Sequence, residues 1–294
     1  MPSSRRPVAT FSVVAWEASL PAWGIAVASK FPAVGAVVPW AGAGAGAVAT
    51  QSYANTTYGP EGLRRMAAGQ SAEQALQALL ADDPGREQRQ AGFVDPRGGA
   101  ATFTGSECQP WAGGWTAEGV AIQGNILAGP QVVEAMAQAY LASGADLGPR
   151  LLAALLAGDR AGGDRRGRQS AALLVVRQGG GYAGHNDRWI DYRVDDDADP
   201  VPRLAELLEL HQLYFGASPP EDRCDLAGPV LVDLLRLARR LGYYDGPDET
   251  ILTPAGREAL RRFIGNENFE DRSDFEAGWI DRPAYEFLIR RFAQ

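Results

Sequence analysis

Ala9-Thr10-Phe11-Ser12-Val13-Val14-Ala15-Trp16 is the stretch whose reading decides the fold. Its β-branched and aromatic side chains alternate loosely, which suits a half-buried strand over 10–17. A second run, Trp23-Gly24-Ile25-Ala26-Val27-Ala28-Ser29, ends at Lys30 and predicts a strand over 23–30. Lys30 is the single lysine among 28 basic residues. A guanidinium never titrates, whereas an ammonium is a compact charge whose pKa shifts on burial. A lone lysine at a strand end therefore marks a position that Arg cannot serve, with chance survival in an arginine-rich composition as the alternative.

A threonine hydroxyl needs a base to act as a nucleophile. His185 and His211, the two histidines, belong to no Ser/His/Asp pattern. The other base open to a threonine is its own α-amino group, once that residue is first in the chain. Such an amine titrates at roughly 7.7–8.0. A nearby ammonium such as Lys30 lowers that value and favours the free amine. Asn125, beside Gly124 at a predicted strand end, is the candidate oxyanion donor, or else an Asn that satisfies its own turn. Gln51, Asn55 and Thr56 follow another strand end and are candidate readers of substrate amides, or turn formers. Asp164, Arg165, Arg168, Gln169 and Ser170 lie in the most polar loop. Arginines there are candidates to hold a substrate carboxylate bidentately, against the plainer reading of a solvated loop.

With 294 residues the chain has room for one large domain or two. A net charge of −8 argues against nucleic-acid binding, which wants a basic face. Cys108 and Cys224 read as unpaired thiols, which points to a reducing, cytoplasmic setting. Two His and two Cys offer no zinc-ligand spacing, and no metal or other cofactor is expected. No apolar run reaches the length of a membrane span. Arg5-Arg6 before Val8 superficially resembles an export signal, but the apolar part is short and broken by Thr10 and Ser12. Gly42-Ala43-Gly44-Ala45-Gly46 nearly fits a dinucleotide fingerprint, yet a strand rather than a helix follows, so a close approach of backbones is the better reading. Asp195-Asp196-Asp197 with Asp199 lacks the glycine and glutamate of a calcium loop and reads as an acidic helix start.

Further strands are expected at 34–39, 48–52, 91–95, 100–104, 119–124, 170–177 and 188–194. Helices are expected at 61–68, 72–81, 130–142, 149–157 and 202–215. Two helix pairs between groups of strands can cover the outer faces of two stacked sheets, giving an α+β sandwich. Gly216-Ala217-Ser218-Pro219-Pro220 reads as a linker at 216–220. Beyond it, 221–294 reads as a small all-α domain with helices at 230–241, 253–264 and from Pro283.

Thr10, Lys30 and a strand pair joining them are the parts of an N-terminal-nucleophile (Ntn) hydrolase. Residues 10–215 resemble a bacterial family of uncharacterised Ntn-hydrolase-like proteins. The likeness is carried by Thr10-Phe11-Ser12-Val13-Val14-Ala15, Ala26-Val27-Ala28-Ser29-Lys30-Phe31, Ala49-Thr50-Gln51, Tyr58-Gly59-Pro60, Gln123-Gly124-Asn125-Ile126-Leu127 and Gly163 to Ser170. The resemblance implies a four-layer αββα fold and, in typical members, a threonine directly after the initiator Met. This sequence departs there: Pro2 to Ala9 intervene, so 1–9 reads as a leader whose removal would expose Thr10. Leu241-Gly242-Tyr243-Tyr244-Asp245-Gly246 and the apolar spacing around it resemble helical domains assigned to peptidoglycan binding, with a peptidoglycan fragment as the implied partner. The expected activity is hydrolysis of an amide bond in a small peptide or cell-wall-like compound by a homodimer. The alternative is a non-catalytic ligand-binding protein whose Thr10 stays blocked behind its leader.

Overall fold

The computed structural model describes residues 10–292; the expected leader at 1–9 lies outside them. The chain divides into two compact units, up to Leu208 and from Glu209. The first holds β1 (Thr10–Glu17), β2 (Ala22–Ser29), β3 (Pro39–Gly42), β4 (Gly46–Ser52), α1 (Tyr58–Ala67), α2 (Ala72–Asp82), β5 (Arg89–Val94), β6 (Ala100–Thr104), β7 (Gly113–Ala117), β8 (Val120–Asn125), α3 (Gln131–Ala142), α4 (Leu147–Arg160), β9 (Ser170–Val176) and β10 (Arg188–Val194). The boundary falls inside α5 (Pro200–Phe215). Next come β11 (Arg223–Asp225), α6 (Gly228–Arg240), α7 (Pro254–Asn266), β12 (Ser273–Asp274), β13 (Trp279–Asp281) and α8 (Arg282–Arg291).

The first unit is α+β with two antiparallel sheets, ordered β10-β9-β2-β1-β8-β7 and β3-β4-β5-β6. Side chains on a strand alternate between faces, and β1 uses both. Phe11, Val13 and Ala15 join a core with Met136, Leu151 and Leu155 of α3 and α4. Val14 instead meets Ile25, Ala47, Ala49, Val94 and Ala121 in a layer shared by both sheets. The outer face of the smaller sheet, with Val48, Ala91 and Phe93, is covered by Tyr58, Met66, Leu76 and Leu80 of α1 and α2. Central strands covered on both faces read as nearly continuous apolar runs, which is why the sequence of β1 and β2 is so legible.

Two expectations need correction. The run 34–39 is not one strand: Val34–Ala36 forms a 3-10 turn, and β3 starts at Pro39. Proline has no N–H to donate, and it is tolerated here as the first residue of an edge strand. Residues 113–117, where no strand is expected from the sequence, become one by pairing with β8. Of the glycines at 42, 44 and 46, only Gly46 serves a close backbone approach; a Cβ at Gly44 would meet nothing within 4 Å. Gly46 has φ +112°, and a Cβ there would lie 2.4 Å from the Val94 carbonyl oxygen.

The second unit is helical but not all-α. Helices α6, α7 and α8 pack Leu231, Leu235, Leu260, Phe263 and Leu288 into one core. A small antiparallel sheet, β11-β13-β12, adds Cys224 and Ile280 to it. Its strands are two or three residues long, shorter than any periodicity can reveal. Both cysteines are free and buried. Among the described residues no helix is long and apolar enough to cross a membrane.

Candidate active site

One end of the six-stranded sheet carries a row of polar residues. Thr10 pairs with Ser29 on one side and Asn125 on the other, and Ser29 pairs with Ser170. Two residues further along, Ser12 pairs with Gln123. The same end of the other sheet has its own row, in which Gln51 pairs with Gln90 and Gln90 with Thr104. Strand alternation turns these residues toward the space between the sheets. Thr10, Ser12, Gln51, Gln90, Gln123, Asn125 and Ser170 are all fully buried.

Buried polar groups need partners, and here they find them in one another. Ser12 Oγ donates to Gln51 Oε1 at 2.7 Å and accepts from Gln123 Nε2 at 2.6 Å. Gln51 Nε2 donates to Gln90 Oε1 at 2.8 Å and reaches the Thr10 carbonyl at 3.3 Å. Gln90 Nε2 donates to the Gly124 carbonyl at 2.7 Å and to Thr104 Oγ1 at 2.9 Å. A backbone carbonyl only accepts, so the Gln90 amide has one orientation. Its Oε1 therefore also receives Asn125 Nδ2, at 2.9 Å. Asn125 Oδ1 is buried and has no partner among the described residues. Gly92 makes room for the network, since a Cβ there would lie 2.0 Å from Gln123 Oε1.

Lys30 follows Ser29 at the end of β2. Its Nζ is exposed and donates to the Arg168 carbonyl at 3.0 Å. Its backbone N–H is held by Asp164 Oδ2 at 2.9 Å. The Asp164 side chain, 1% exposed, also pairs with Arg166 at 2.8 Å, and residue 164 bridges to Leu127 just beyond Asn125. Asp164 thus ties the polar loop to the ends of β2 and β8. Ser170 Oγ donates to the Phe31 carbonyl and accepts from the Val34 N–H at 3.1 Å, pinning the turn after Lys30.

The other candidates have local duties. Asn55 bonds Asp83 at 3.2 Å and Thr57 Oγ1 at 2.7 Å in the turn that enters α1. Thr56 is exposed in that turn. Arg168 pairs with Asp159 and Asp199, each at 2.8 Å. Gln169 bonds Asp196 at 3.0 Å. Arg165 is exposed and uses its backbone N–H on the Ile126 carbonyl. No group of three His, Cys, Asp or Glu side chains that could hold a metal occurs among the described residues. Sequence reading passed over Gln90 and Gln123. Each sits two residues, or one cross-strand pair, from a residue it did single out, and that period of two was the available signal.

The first unit is therefore an α+β domain with a buried hydroxyl and amide cluster at one end of two facing sheets. Residues 10–204 match the family described as "Family of unknown function (DUF1028)", and the chain belongs to that family. Residues 214–288 match the family described as "Putative peptidoglycan binding domain". Among solved structures, the chain is similar to protein SPO2555 from Silicibacter pomeroyi, of the same DUF1028 family. The two are 32% identical with a TM-score of 0.63, over 69% of this chain and 89% of that one. No curated protein matches.

Proposed function

We propose that the first unit is an Ntn-type αββα sandwich that hydrolyses an amide bond, with Thr10 as nucleophile. The observation that carries this reading is the placement of Thr10. It opens the central strand β1, between Ser29 and Asn125, at the polar end of the space between the sheets. Once Thr10 is the first residue, its amine takes the hydroxyl proton while Oγ attacks the substrate carbonyl carbon. The amine then passes that proton to the departing nitrogen, leaving an ester on Oγ that water cleaves. Asn125 Nδ2 keeps one hydrogen beyond its bond to Gln90, the donor a developing oxyanion needs. Its unpartnered Oδ1 is an acceptor suited to the amine. Lys30 adds a compact positive charge one residue beyond Ser29; Asp164 holds its backbone N–H and the Arg168 carbonyl its Nζ.

The match of residues 214–288 supports a peptidoglycan fragment as partner of the second unit, and small peptides or cell-wall fragments as the substrate class. Two free, buried thiols support a reducing, cytoplasmic setting. The second reading, a ligand-binding protein without catalysis, is favoured by the complete burial of Thr10. Covalent labelling decides between them. A chain begun at Met-Thr10, whose Met is removed, should form a mass adduct on Thr10 with a threonine-directed electrophile, whereas the chain that retains residues 1–9 and a Thr10→Ala variant should not. Equal labelling with residues 1–9 in place would overturn the role of the Thr10 amine.

A further inference from the structure

We infer that the cavity beside the end of β1 is a binding site for a singly charged carboxylate at the end of an acyl or peptidyl chain. The cavity has a volume of about 670 Å³ and is lined by Phe11, Ser29, Arg160, Arg165 and Arg168, among others. Phe11 follows Thr10 along β1 and Ser29 pairs with Thr10 across to β2, so the cavity lies at the strand end that carries Thr10, on the α4 side of the sheet.

The charges on its wall are not equivalent. Asp159 is taken up by Arg168, and Asp164 by Arg166 and the Lys30 N–H. Arg168 is taken up in turn by Asp159 and Asp199. Arg160 and Arg165 are exposed, and their guanidinium groups make no ion pair or hydrogen bond with a described residue. Two guanidinium groups without a protein partner border one cavity, and each offers the fork of N–H donors that suits a planar anion. Three arginines against the two aspartates on the wall leave a single net positive charge. That balance suits a carboxylate and disfavours a phosphate dianion, which the nearby aspartates repel. Phe11, Ala28, Pro200 and Val201 supply an apolar surface for the chain behind the anion. Reading this ligand as the end of the substrate rests on the proposed function; its binding does not.

The experiment titrates the full chain with N-acetyl-dialanine bearing a free carboxylate, with its C-terminal amide, and with inorganic phosphate, followed by calorimetry. The free acid should bind at least tenfold more tightly than the amide and more tightly than phosphate. Arg160→Ala with Arg165→Ala should abolish that preference while leaving the melting temperature in place, since both side chains are exposed. Thr10→Ala should keep it, so that failed labelling of Thr10 and failed anion binding are separate results. Equal binding of acid and amide, binding of neither, stronger binding of phosphate, or a preference that survives the double substitution each overturns the site.

Discussion

The space between the two sheets has two ends built on different principles. Along β1 the inward residues run Thr10, Ser12, Val14; along β8, read backwards, Asn125, Gln123, Ala121. Strand β4 runs Gln51, Ala49, Ala47, and β5 runs Gln90, Gly92, Val94. Each of the four strands changes from polar to apolar within three inward positions. At the apolar end Val14, Ile25 and Val94 are fully buried, and packing alone holds the sheets together. At the polar end equally buried residues hold them by hydrogen bonds with fixed donors and acceptors. Oil would have served cohesion at both ends, because a satisfied buried amide is worth little more than a well-packed apolar group. What the polar end adds is orientation: one Gln90 rotamer fixes both Gln51 and Asn125.

The sharpest way to break this contrast is Gln90→Leu. It strips partners from Asn125 Nδ2, Gln51 Nε2 and the Gly124 carbonyl. Gln51 Nε2 keeps the Thr10 carbonyl at 3.3 Å, so the Asn125 amide and the Gly124 carbonyl bear the loss. At about 1–3 kcal/mol for each orphaned group, a loss of about 3 kcal/mol is expected in urea unfolding. A loss below about 1 kcal/mol would show that water replaces the amide and that the network is not closed.

A smaller effect should separate amides from charges. Glutamine and asparagine do not titrate, so the polar end itself should be indifferent to pH. The same sheet has a charged cluster next to α1, where Asp83 pairs with Arg89 at 2.9 Å, both nearly buried. Burial alone would raise the Asp83 carboxyl, but hydrogen bonds from Arg89, the Gly85 N–H, Asn55 and Tyr58 outweigh it and lower it from 3.8 to about 2. A folded value below the unfolded one means the stabilisation is complete above pH ~4 and is lost as pH falls toward ~2. It amounts to about 2 kcal/mol. Asp83→Asn should flatten the decline in melting temperature between pH 5 and 2; an unchanged acid limb would move that dependence elsewhere.

The smallest effect belongs to the apolar end. Ile25→Val removes one methylene from a fully buried side chain and should cost about 1 kcal/mol, with no change in Thr10 labelling. If this substitution impaired labelling as much as Gln90→Leu, the two ends would be one mechanical unit and the contrast would fail.

Most elements of the first unit were legible. The runs 10–17, 100–104 and 188–194 coincide with β1, β6 and β10, and the expected helices lie on α1 to α5. Chain-local signals explain this: strand alternation, the Ser71–Gln74 capping box that starts α2, and Pro60 near the start of α1. What escaped were segments whose structure comes from a partner. Residues 113–117 become a strand only beside β8, and 223–225, 273–274 and 279–281 only beside each other. The site was half legible. Thr10, Lys30, Asn125 and Gln51 stood out at strand ends, whereas Gln123 read as an ordinary strand residue with a polar side chain and Gln90 lay outside the expected strand 91–95.

By itself, then, the sequence determined the alternation of the strands, the helix pairs and the lone lysine after β2, because each is written in residues close together in the chain. Only the tertiary structure decided which side chains meet. Ser12, Gln51, Gln90 and Gln123 are separated by between 33 and 39 positions at each step, and a glutamine carries no local mark of what it will bond. Register did that: pairing Thr10 with Asn125 and Gln51 with Gln90 sets both polar rows at the same end of the two sheets. A slip of one residue would turn every one of those amides to the opposite face.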